Sequence, residues 1–383
     1  MTNSYVKLGD LATYINGYAF KPKDRGDKGL PIIRIQDLTG NTYDKGFYDG
    51  KYPSKIEINN GDVLISWSAS LGVYLWNGGK ALLNQHIFKV IFDKKEIDKD
   101  YFIYAVRFSL KRLHQLTHGA TMKHIVKKDF DNVVIPYPSI KKQKEIAFNL
   151  DKIESIIKTR QQEIRMLDTL IKARFVEMFG DPVKNEKKFL TKQLSQIGKC
   201  KNGINFHKSE IGNTVNCLTV KDFENNQVIN DTTRLAKIKL SNLPSNDYFL
   251  NNGDIVFVRS NGNKSLVGRS VLIFPNNNPT LFSGFCIRFR KDSKRLESVY
   301  LLWLLKNESI RMKMRGRGVN IQNLNQQIIN NLSIPVPPIE LQKEFASFVQ
   351  QVDKSKVVNA SIMKYIISIR FYLYFKENKE GAR

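Results

Sequence analysis

Short β-rich runs beside turn signals alternate with helical patterns along the chain. The runs rich in β-branched and aromatic residues predict strands, which are Pro31–Ile35, Asp62–Trp67, His86–Phe92, Ile255–Arg259, Ser270–Phe274 and Cys286–Phe289. Helices are predicted over Asp100–Leu116 and Glu297–Met314, and each is followed by a further strand and a Pro-x-Pro sequence. Because proline interrupts regular structure and restricts the residue before it, each Pro-x-Pro predicts the end of a globular region.

A longer apolar periodicity follows each Pro-x-Pro. Residues 140–180 contain no proline, and a heptad runs through them with a seam that includes Ile146, Leu150, Ile153, Ile157, Ile164, Leu167 and Ile171. Such a heptad favours a long paired helix, about 60 Å at 1.5 Å per residue. A second long helix is predicted over residues 339–376, with Phe345, Val349, Val352 and Ile366 in its seam. We expect the two helices to pack as an antiparallel coiled coil that acts as a spacer.

The chain also contains an internal repeat. At an offset of 199 residues, NVVIPYPSIKKQKEIA (residues 132–147) is answered by NLSIPVPPIELQKEFA (residues 331–346). Earlier segments match more loosely, namely Leu8–Phe20 with Leu194–Phe206, Ile33–Leu38 with Leu218–Phe223, and Asn60–Ser66 with Asn252–Val258. The drifting offset indicates loop insertions on a shared scaffold, so the two copies are expected to perform similar tasks with different specificities.

The expected fold is therefore mixed α/β (α+β), with an internal pseudo-two-fold repeat. We expect a first domain at residues 1–139, a central long helix at 140–180, and a linker with the second domain at 181–338. A C-terminal long helix at 339–376 and a tail at 377–383 complete the chain.

Charge narrows the choice of partner. The 383 residues include 61 Lys and Arg against 36 Asp and Glu, a formal net charge of +25. This excess excludes an acidic DNA mimic and favours nucleic acid, with an anionic membrane surface as the second candidate. No apolar run approaches the ~18 residues of a membrane span, so we expect no membrane partner. Three scattered cysteines and an N-terminus without an apolar segment predict a reduced, cytoplasmic protein.

Motifs for catalysis are weak or absent in the sequence. It contains no GxxxxGK[ST] and no cofactor-binding fingerprint of a methyltransferase. Asp181 with Glu186–Lys188 faintly resembles a nuclease set, but lies in a charged linker rather than on adjacent strands. His114 and His118 lie one helical turn apart without further ligands nearby, and Ser66–Ser70 has no histidine or aspartate that we can place beside it. We predict a chain without catalytic residues, without a metal site and without a cofactor of its own.

Residues suited to reading DNA are concentrated near strand ends. Asparagine, arginine and serine match base edges, and lysine matches phosphate. The first loop set contains Ser66, Trp67, Ser68 and Ser70 in one half and Arg259, Ser260, Asn261, Asn263, Lys264 and Arg269 in the other. The second set contains Thr121, Lys123 and His124, and Arg315, Arg317, Asn320 and Gln322, while Arg34 and Lys221 lie in another repeated segment. Ordinary solvated surface is the alternative interpretation of each.

These features together resemble one family. Two diverged halves, each closed by I-P-x-P-(S/P)-I-x-x-Q-K-E-(I/F)-A at the start of a long helix, resemble the specificity (S) subunit of a type I restriction–modification system. KLGDLATYINGYAF, PIIRIQDL and GDVLISWSASLGVY resemble that family's target-recognition domains, and RFVEMFGDP resembles the end of its central helix. The resemblance covers nearly the whole chain.

The resemblance implies an adaptor that binds double-stranded DNA. Each recognition domain would read one half of an asymmetric, bipartite site, and the two helices would set the spacer and dock two modification subunits. Those subunits would methylate adenine N6 with S-adenosylmethionine, and restriction subunits would use ATP and Mg²⁺ for translocation and cleavage. Two alternatives stay open: a system whose methylase and nuclease are fused in one partner, and a basic coiled-coil scaffold that binds nucleic acid without sequence preference.

Overall fold

The computed structural model describes residues 4–42, 44–68, 70–116, 127–206, 211–224, 227–315 and 323–376. The chain divides into two compact units. The first unit consists of Met1–Arg160 and Ser361–Arg383, and the second of Gln161–Ala360. Each long helix therefore contributes one part to each unit.

The first unit contains two four-stranded sheets and a two-stranded ribbon. Its strands are β1 Ser4–Lys7, β2 Thr13–Asn16, β3 Leu30–Ile33, β4 Phe47–Tyr48, β5 Glu57–Ile58, β6 Val63–Ser66, β7 Gly72–Leu75, β8 Ala81–Leu83, β9 Ile87–Ile91 and β10 Val134–Tyr137. Its helices are α1 Ile35–Leu38, α2 Lys99–Leu116, α3 Lys127–Asp131 and the first part of α4 Ile140–Phe179. The antiparallel sheet has the order β2-β9-β6-β7, the second sheet the order β4-β3-β8-β5 with β3 parallel to β8, and β1 pairs with β10.

The second unit has a similar arrangement, with one five-stranded and one three-stranded sheet in place of two four-stranded sheets. Its strands are β11 Thr191–Gln193, β12 Gly198–Asn202, β13 Asn213–Leu218, β14 Val228–Ile229, β15 Ala236–Leu240, β16 Asp254–Val258, β17 Ser270–Ile273, β18 Thr280–Phe282, β19 Cys286–Lys291 and β20 Ser333–Pro335. Its helices are α5 Ser298–Lys306, α6 Glu308–Arg315, α7 Gln326–Asn330 and part of α8 Ile339–Lys376. The sheet orders are β12-β19-β16-β17-β14 and β15-β13-β18, and β11 pairs with β20.

A buried glutamine has the same structural role in both copies of the repeated Pro-x-Pro and Gln-Lys-Glu segment. In the first unit the Gln143 amide donates to the Pro138 carbonyl at 2.8 Å and accepts from the Asp98 N–H at 2.9 Å. Gln342 makes the matching bonds in the second unit, at 2.7 Å to the carbonyl and 2.8 Å from the N–H. Both glutamines are fully buried. Since a buried backbone group needs a partner, this side chain joins the start of each long helix to the globular part before it.

A tyrosine makes the next joint in both units. Tyr101 donates to the Pro136 carbonyl, and Tyr300 donates to the Pro335 carbonyl, each at 2.9 Å. Both rings are fully buried in the core of their unit. The Pro-x-Pro segments therefore supply carbonyl acceptors to buried side chains as well as ending the strands.

The helix predicted over Glu297–Met314 is two helices in the structure. The first ends at Lys306, and Asn307 has extended backbone with ψ 135°. The Asn307 side chain then accepts a hydrogen bond from the Ser309 N–H at 3.0 Å. Because asparagine is a favourable N-cap residue, it starts a new helix where the sequence pattern suggests one continuous helix.

Six of the seam residues predicted for subunit docking or for the helical spacer are buried in the chain itself, which corrects the docking part of the prediction and leaves the spacer part a prediction. Ile146 and Leu150 belong to the core of the first unit, and Ile171, Phe345, Val349 and Val352 belong to the core of the second. A side chain packed inside its own chain cannot at the same time bind a partner subunit. Ile157 is also buried, while Ile153, Ile164, Leu167 and Ile366 are partly buried.

The two long helices run antiparallel where they pack within the second unit. Asp168 of α4 pairs with Lys356 of α8 at 2.7 Å, and Arg174 pairs with Glu344 at 2.9 Å. The α4 numbers rise while the α8 numbers fall, as antiparallel packing requires.

Candidate nucleic-acid interface

An Asn-Gly-Asp turn comes before an inner strand in both units, before β6 of the β2-β9-β6-β7 sheet and before β16 of the five-stranded sheet. Gly61 and Gly253 have φ values of 90° and 88°, a conformation that glycine adopts without steric cost. Asp62 and Asp254 each accept a hydrogen bond from the backbone N–H three residues earlier, at 2.8 and 2.7 Å. The turn fixes where β6 and β16 begin, and therefore where their far ends present the predicted DNA-contact residues.

A cation on the neighbouring strand holds each of these aspartates. Arg290 makes a two-pronged contact with the buried Asp254, at 2.9 Å from Nε and 2.8 Å from Nη2. The hydrogen bond with Asp254 raises the pKa of Arg290 above its ordinary value. In the first unit Lys89 pairs with Asp62 at 3.0 Å. The second unit therefore has the geometrically more specific version of this support.

The far end of β16 pairs with Asn323 and Leu324, which precede α7. Arg259 donates its N–H to the Phe285 carbonyl at 2.8 Å and accepts at its own carbonyl from the Leu324 N–H at 2.8 Å. Ser260 forms an antiparallel bridge with Asn323, which directly follows the second cluster in the sequence. The backbone thus connects the loop after β16 to the segment before α7.

A broad groove lies at this end of the second unit. It has a volume of about 810 Å³, and its lining includes Phe206, Lys221, Ser260, Asn261 and Phe285. Lys221 is exposed and is the sole charged side chain among the described residues that line the groove. A single cation among hydroxyl, amide and aromatic groups, without a carboxylate, suits an anionic ligand with polar edges.

Side-chain hydrogen bonds give the loop after β16 a defined shape. The Asn261 side chain accepts from the Asn263 N–H at 2.7 Å, and the Asn263 side chain accepts from the Ser265 N–H at 3.0 Å. Such turns are typical of asparagine. Arg269 is half-buried where the loop returns, and its carbonyl accepts from the Val258 N–H at 2.9 Å. The DNA-contact roles of Asn261, Asn263 and Arg269 remain predictions.

Two serines of the first unit do not lie where a base could reach them. Ser66 is fully buried and donates to the Ser70 carbonyl, and Ser68 is 6% exposed. A hydroxyl enclosed by its own unit cannot contact a base edge, so the expectation for Ser66 and Ser68 is corrected. Ser70 is exposed and remains a candidate.

Trp67 belongs to a ring cluster at the end of β6. Its ring lies 5.5 Å from that of His86 and 5.9 Å from that of Phe88, the second pair being stacked. Trp67 is half-buried, so part of the ring is at the surface while the rest packs on the core. Its DNA-contact role remains a prediction.

Arg34 serves the local structure instead of the surface. Its side chain is 13% exposed, lies 3.7 Å from the Asp37 carboxylate and donates to the Asp44 carbonyl. A guanidinium with these internal partners holds the loops around α1, which corrects its expected role at DNA. Lys221, in the corresponding segment of the second unit, is exposed and lines the groove.

The remaining candidates lie outside the described parts of the chain. Thr121, Lys123, His124, Arg317, Asn320 and Gln322 are outside the described residues, and so are the side chains of Lys264 and Arg315. Their proposed contacts with DNA remain predictions.

The described residues contain no cluster suited to a metal. No group of three or more His, Cys, Asp or Glu side chains converges among them. Cys217 and Cys286 are buried, and burial raises the pKa of Cys217 and of the partly buried Cys200 to about 12. Among the described helices none is long and apolar enough to cross a membrane.

Phe285 and His86 are not among the residues predicted from the sequence. An offset of 199 residues separates them, and each lies opposite the residue that follows β6 or β16. Trp67 donates its N–H to the His86 carbonyl at 3.3 Å, as Arg259 does to Phe285 at 2.8 Å. The internal repeat could have revealed this pair, because His86 and Phe285 align at the same offset of 199 residues as the repeated motif.

A basic chain built from two copies of one α/β unit, with polar and aromatic loops at equivalent strand ends, defines a duplicated DNA-recognition protein. The chain belongs to the family of type I restriction–modification DNA specificity domains, whose family model matches residues 2–166 and 185–364. It is a DNA sequence-specificity subunit, as its resemblance to the S subunits indicates.

Relatives along nearly the whole chain agree with this assignment. The MjaVIII specificity subunit of Methanocaldococcus jannaschii is 25% identical over 372 residues, which cover 91% of this chain and 85% of the relative. The StySPI specificity subunit of Salmonella potsdam is 26% identical over 382 residues, covering 90% and 81%.

Two solved structures share the fold. A chain from a study of complex assembly and conformational transition in a type I system has a TM-score of 0.61 at 15% identity, covering 99% of this chain and 98% of that one. The S subunit from M. genitalium has a TM-score of 0.50 at 15% identity and covers 98% of both chains. These similarities confirm the mixed α/β fold class.

Proposed function

We propose that each unit reads one half of a bipartite, asymmetric DNA site and that the chain itself catalyses no reaction. The groove beside β16 carries this proposal, because it gathers Lys221, Ser260 and Asn261 from separate segments around one anion-compatible surface. The first unit has the same scaffold with different side chains at the same strand end. Two scaffolds with different loops favour two different half-sites.

The chemistry would then belong to partner subunits. Modification subunits would bind S-adenosylmethionine and methylate adenine, and restriction subunits would use ATP and Mg²⁺. The chain would work in the cytoplasm, where it meets both DNA and these subunits. A spacer role for α4 and α8 remains a prediction of the sequence.

The experiment is to express the chain with a modification subunit of a type I system and to map methylated adenines across the host genome. We expect one motif with two unlike half-sites separated by a fixed number of unspecified bases. Binding to all sequences alike would support the nonspecific scaffold instead. Methylation by a partner that also carries the nuclease would support the fused system.

Exposed apolar side chains on α4 are better docking candidates than its buried seam. Met166 and Leu170 are 62% and 47% exposed and lie four residues apart on one helix face. A partner helix with its own apolar face would cover them. We expect Met166→Asp with Leu170→Asp to abolish co-purification of the modification subunit while the thermal midpoint of the isolated chain stays within about 2 °C.

Gln161→Asp is the matched control for this docking test. Gln161 is exposed on another face of the same helix, so the added charge should leave co-purification intact. Retention of the partner by the double variant would place docking elsewhere.

A further inference from the structure

Phe285 is a solvent-exposed phenyl ring at the edge of the groove. It is 61% exposed, whereas its neighbours Phe282 and Cys286 are buried. A single exposed apolar residue is common on protein surfaces and means little alone. Its position matters here, because the same groove contains Lys221, Ser260 and Asn261.

The turn that carries Phe285 is held from several sides. It joins β18 to β19, and its Gly284 donates to the Ile204 carbonyl at 2.6 Å. Arg259 donates its N–H to the Phe285 carbonyl, and its guanidinium lies 3.4 Å from the Gly284 carbonyl. A Cβ at Gly284 would lie 2.0 Å from Oδ1 of Asn205, so a larger residue there would require the Asn205 side chain to move. The backbone under the ring is therefore fixed before any ligand binds, which lowers the entropy lost on binding.

The groove combines the groups that the major groove of DNA requires. Its amide and hydroxyl side chains match the hydrogen-bonding edges of bases, and Lys221 matches a phosphate. The one apolar group on the major-groove edges is the 5-methyl group of thymine, for which an exposed phenyl ring is a suitable contact. No carboxylate among the described lining residues opposes a DNA backbone.

We propose that Phe285 is a specificity-determining residue that recognises a thymine 5-methyl group in the half-site read by the second unit. This inference rests on the proposed function, since it needs a half-site for the second unit. The first unit has His86 at the equivalent position, so the contact belongs to one half-site alone.

The test removes the methyl group from the DNA and the ring from the protein. Each thymine of the mapped site is replaced singly by deoxyuridine, and the affinity of the full chain with its modification subunits is measured. The wild type should bind about fourfold more weakly for one or two substitutions in the second half-site, the change expected from one methyl group. In Phe285→Ala this sensitivity should disappear, and in Phe285→Leu part of it should remain.

Leu190→Ala is the control, because Leu190 is another exposed apolar residue of the second unit, at 63%. It should keep the full sensitivity to deoxyuridine. If the wild type prefers its site but ignores every deoxyuridine, or if Phe285→Ala keeps the sensitivity, the inference is wrong while the proposed function stands. Loss of modification-subunit binding in Phe285→Ala, with deoxyuridine sensitivity retained, would assign the groove to a protein contact. A wild type without any sequence preference would refute the proposed function itself.

Discussion

The C-terminal ends of β6 and β16, called exits here, occupy equivalent places in the two units, yet they carry different side chains. In the first unit Trp67 packs against His86, and Ser66 is enclosed. In the second unit Arg259 and the exposed Phe285 take the equivalent places beside a groove. Both exits follow the same Asn-Gly-Asp turn and the same order of four strands, to which the second unit adds β14.

The difference shows which part of the molecule is free to vary. Both units have the turn glycines, the supported aspartates and the buried glutamines. The glycines adopt positive φ, and the aspartates and glutamines bond to backbone groups that need a partner. The loop residues beyond the strands differ between the units, and in the second unit Asn261 and Asn263 bond only to backbone groups of their own loop. Specificity can therefore be divided between two scaffolds of one design.

The largest expected effect is that of salt on DNA affinity, because the chain carries a large excess of positive charge. Raising salt from 50 to 200 mM should weaken binding of the full chain to a duplex containing its site by roughly 10³-fold or more, because phosphate contacts release counterions. Fluorescence anisotropy with a labelled duplex measures this. An affinity that stays within about tenfold would mean that few phosphates are contacted.

A second test uses an equivalent pair of cations on helices α2 and α5, each lying over an aromatic ring. Lys306 lies 5.4 Å over the Trp303 ring, and Arg107 of the first unit lies 5.5 Å over the Tyr104 ring. Burial lowers the pKa of Lys306 to about 7, an effect that the nearby Asp168 opposes. The unfolded chain binds this proton up to about pH 10.4, so the stability of the native state should rise between pH 7 and 10.

The variant for this second test is Lys306→Met, measured by urea unfolding. It should reduce the rise with pH by up to about 1.4 kcal/mol per pH unit, the slope for one proton. Arg107→Met is the control and should leave the slope unchanged, because arginine does not titrate in this range. Equal slopes in wild type and Lys306→Met would show that Lys306 stays protonated.

The buried glutamines test whether the two scaffolds are equivalent. Gln143→Ala and Gln342→Ala each leave a backbone N–H and a proline carbonyl without their partner, and each should cost about 1–3 kcal/mol of unfolding free energy. Gln342→Ala also removes a bond to the Arg295 carbonyl, so its cost should be the larger of the two. Chemical denaturation measures both. A large loss in one unit and none in the other would mean that the joints differ despite their matching geometry.

The last expected effect is confined to one or two base pairs and should be the most selective. Arg259→Ala and Asn261→Ala should relax the preference at one or two base pairs of the second half-site, by about 1–3 kcal/mol each, and leave the first half-site untouched. Competition binding with singly substituted duplexes measures this. A uniform loss across all sequences would reassign both residues to phosphate contacts or to support of the turn.

Much of the fold could be predicted because its signals are local or repeated. The heptad of α4 and the β-rich run at β16 follow from periodicity, and the repeat transfers each assignment from one unit to the other. The break at Asn307 could not be predicted, since an asparagine within a helical pattern starts a new helix only when tertiary packing favours it.

The site was harder to predict than the fold. Residue type indicates that Ser66 and Arg34 can bind DNA, but burial decides whether they reach it, and burial depends on long-range packing. The same limitation concealed Phe285, whose exposure follows from a turn fixed by Arg259 and Ile204, residues distant in sequence. Heptad positions such as Leu150 indicated helix pairing, whereas the globular core covers them.

The glutamine joint also tells an engineer where this chain can be cut and spliced. Gln143 and Gln342 bond to equivalent backbone groups with nearly equal geometry, so each globular module ends in the same socket. A graft that exchanges one module for the other should keep this joint intact. A junction upstream of Asp98 or Glu297 lies too early, and a junction downstream of the glutamine is safe. Chimeras built on that rule would carry an exchanged globular module on unchanged long helices.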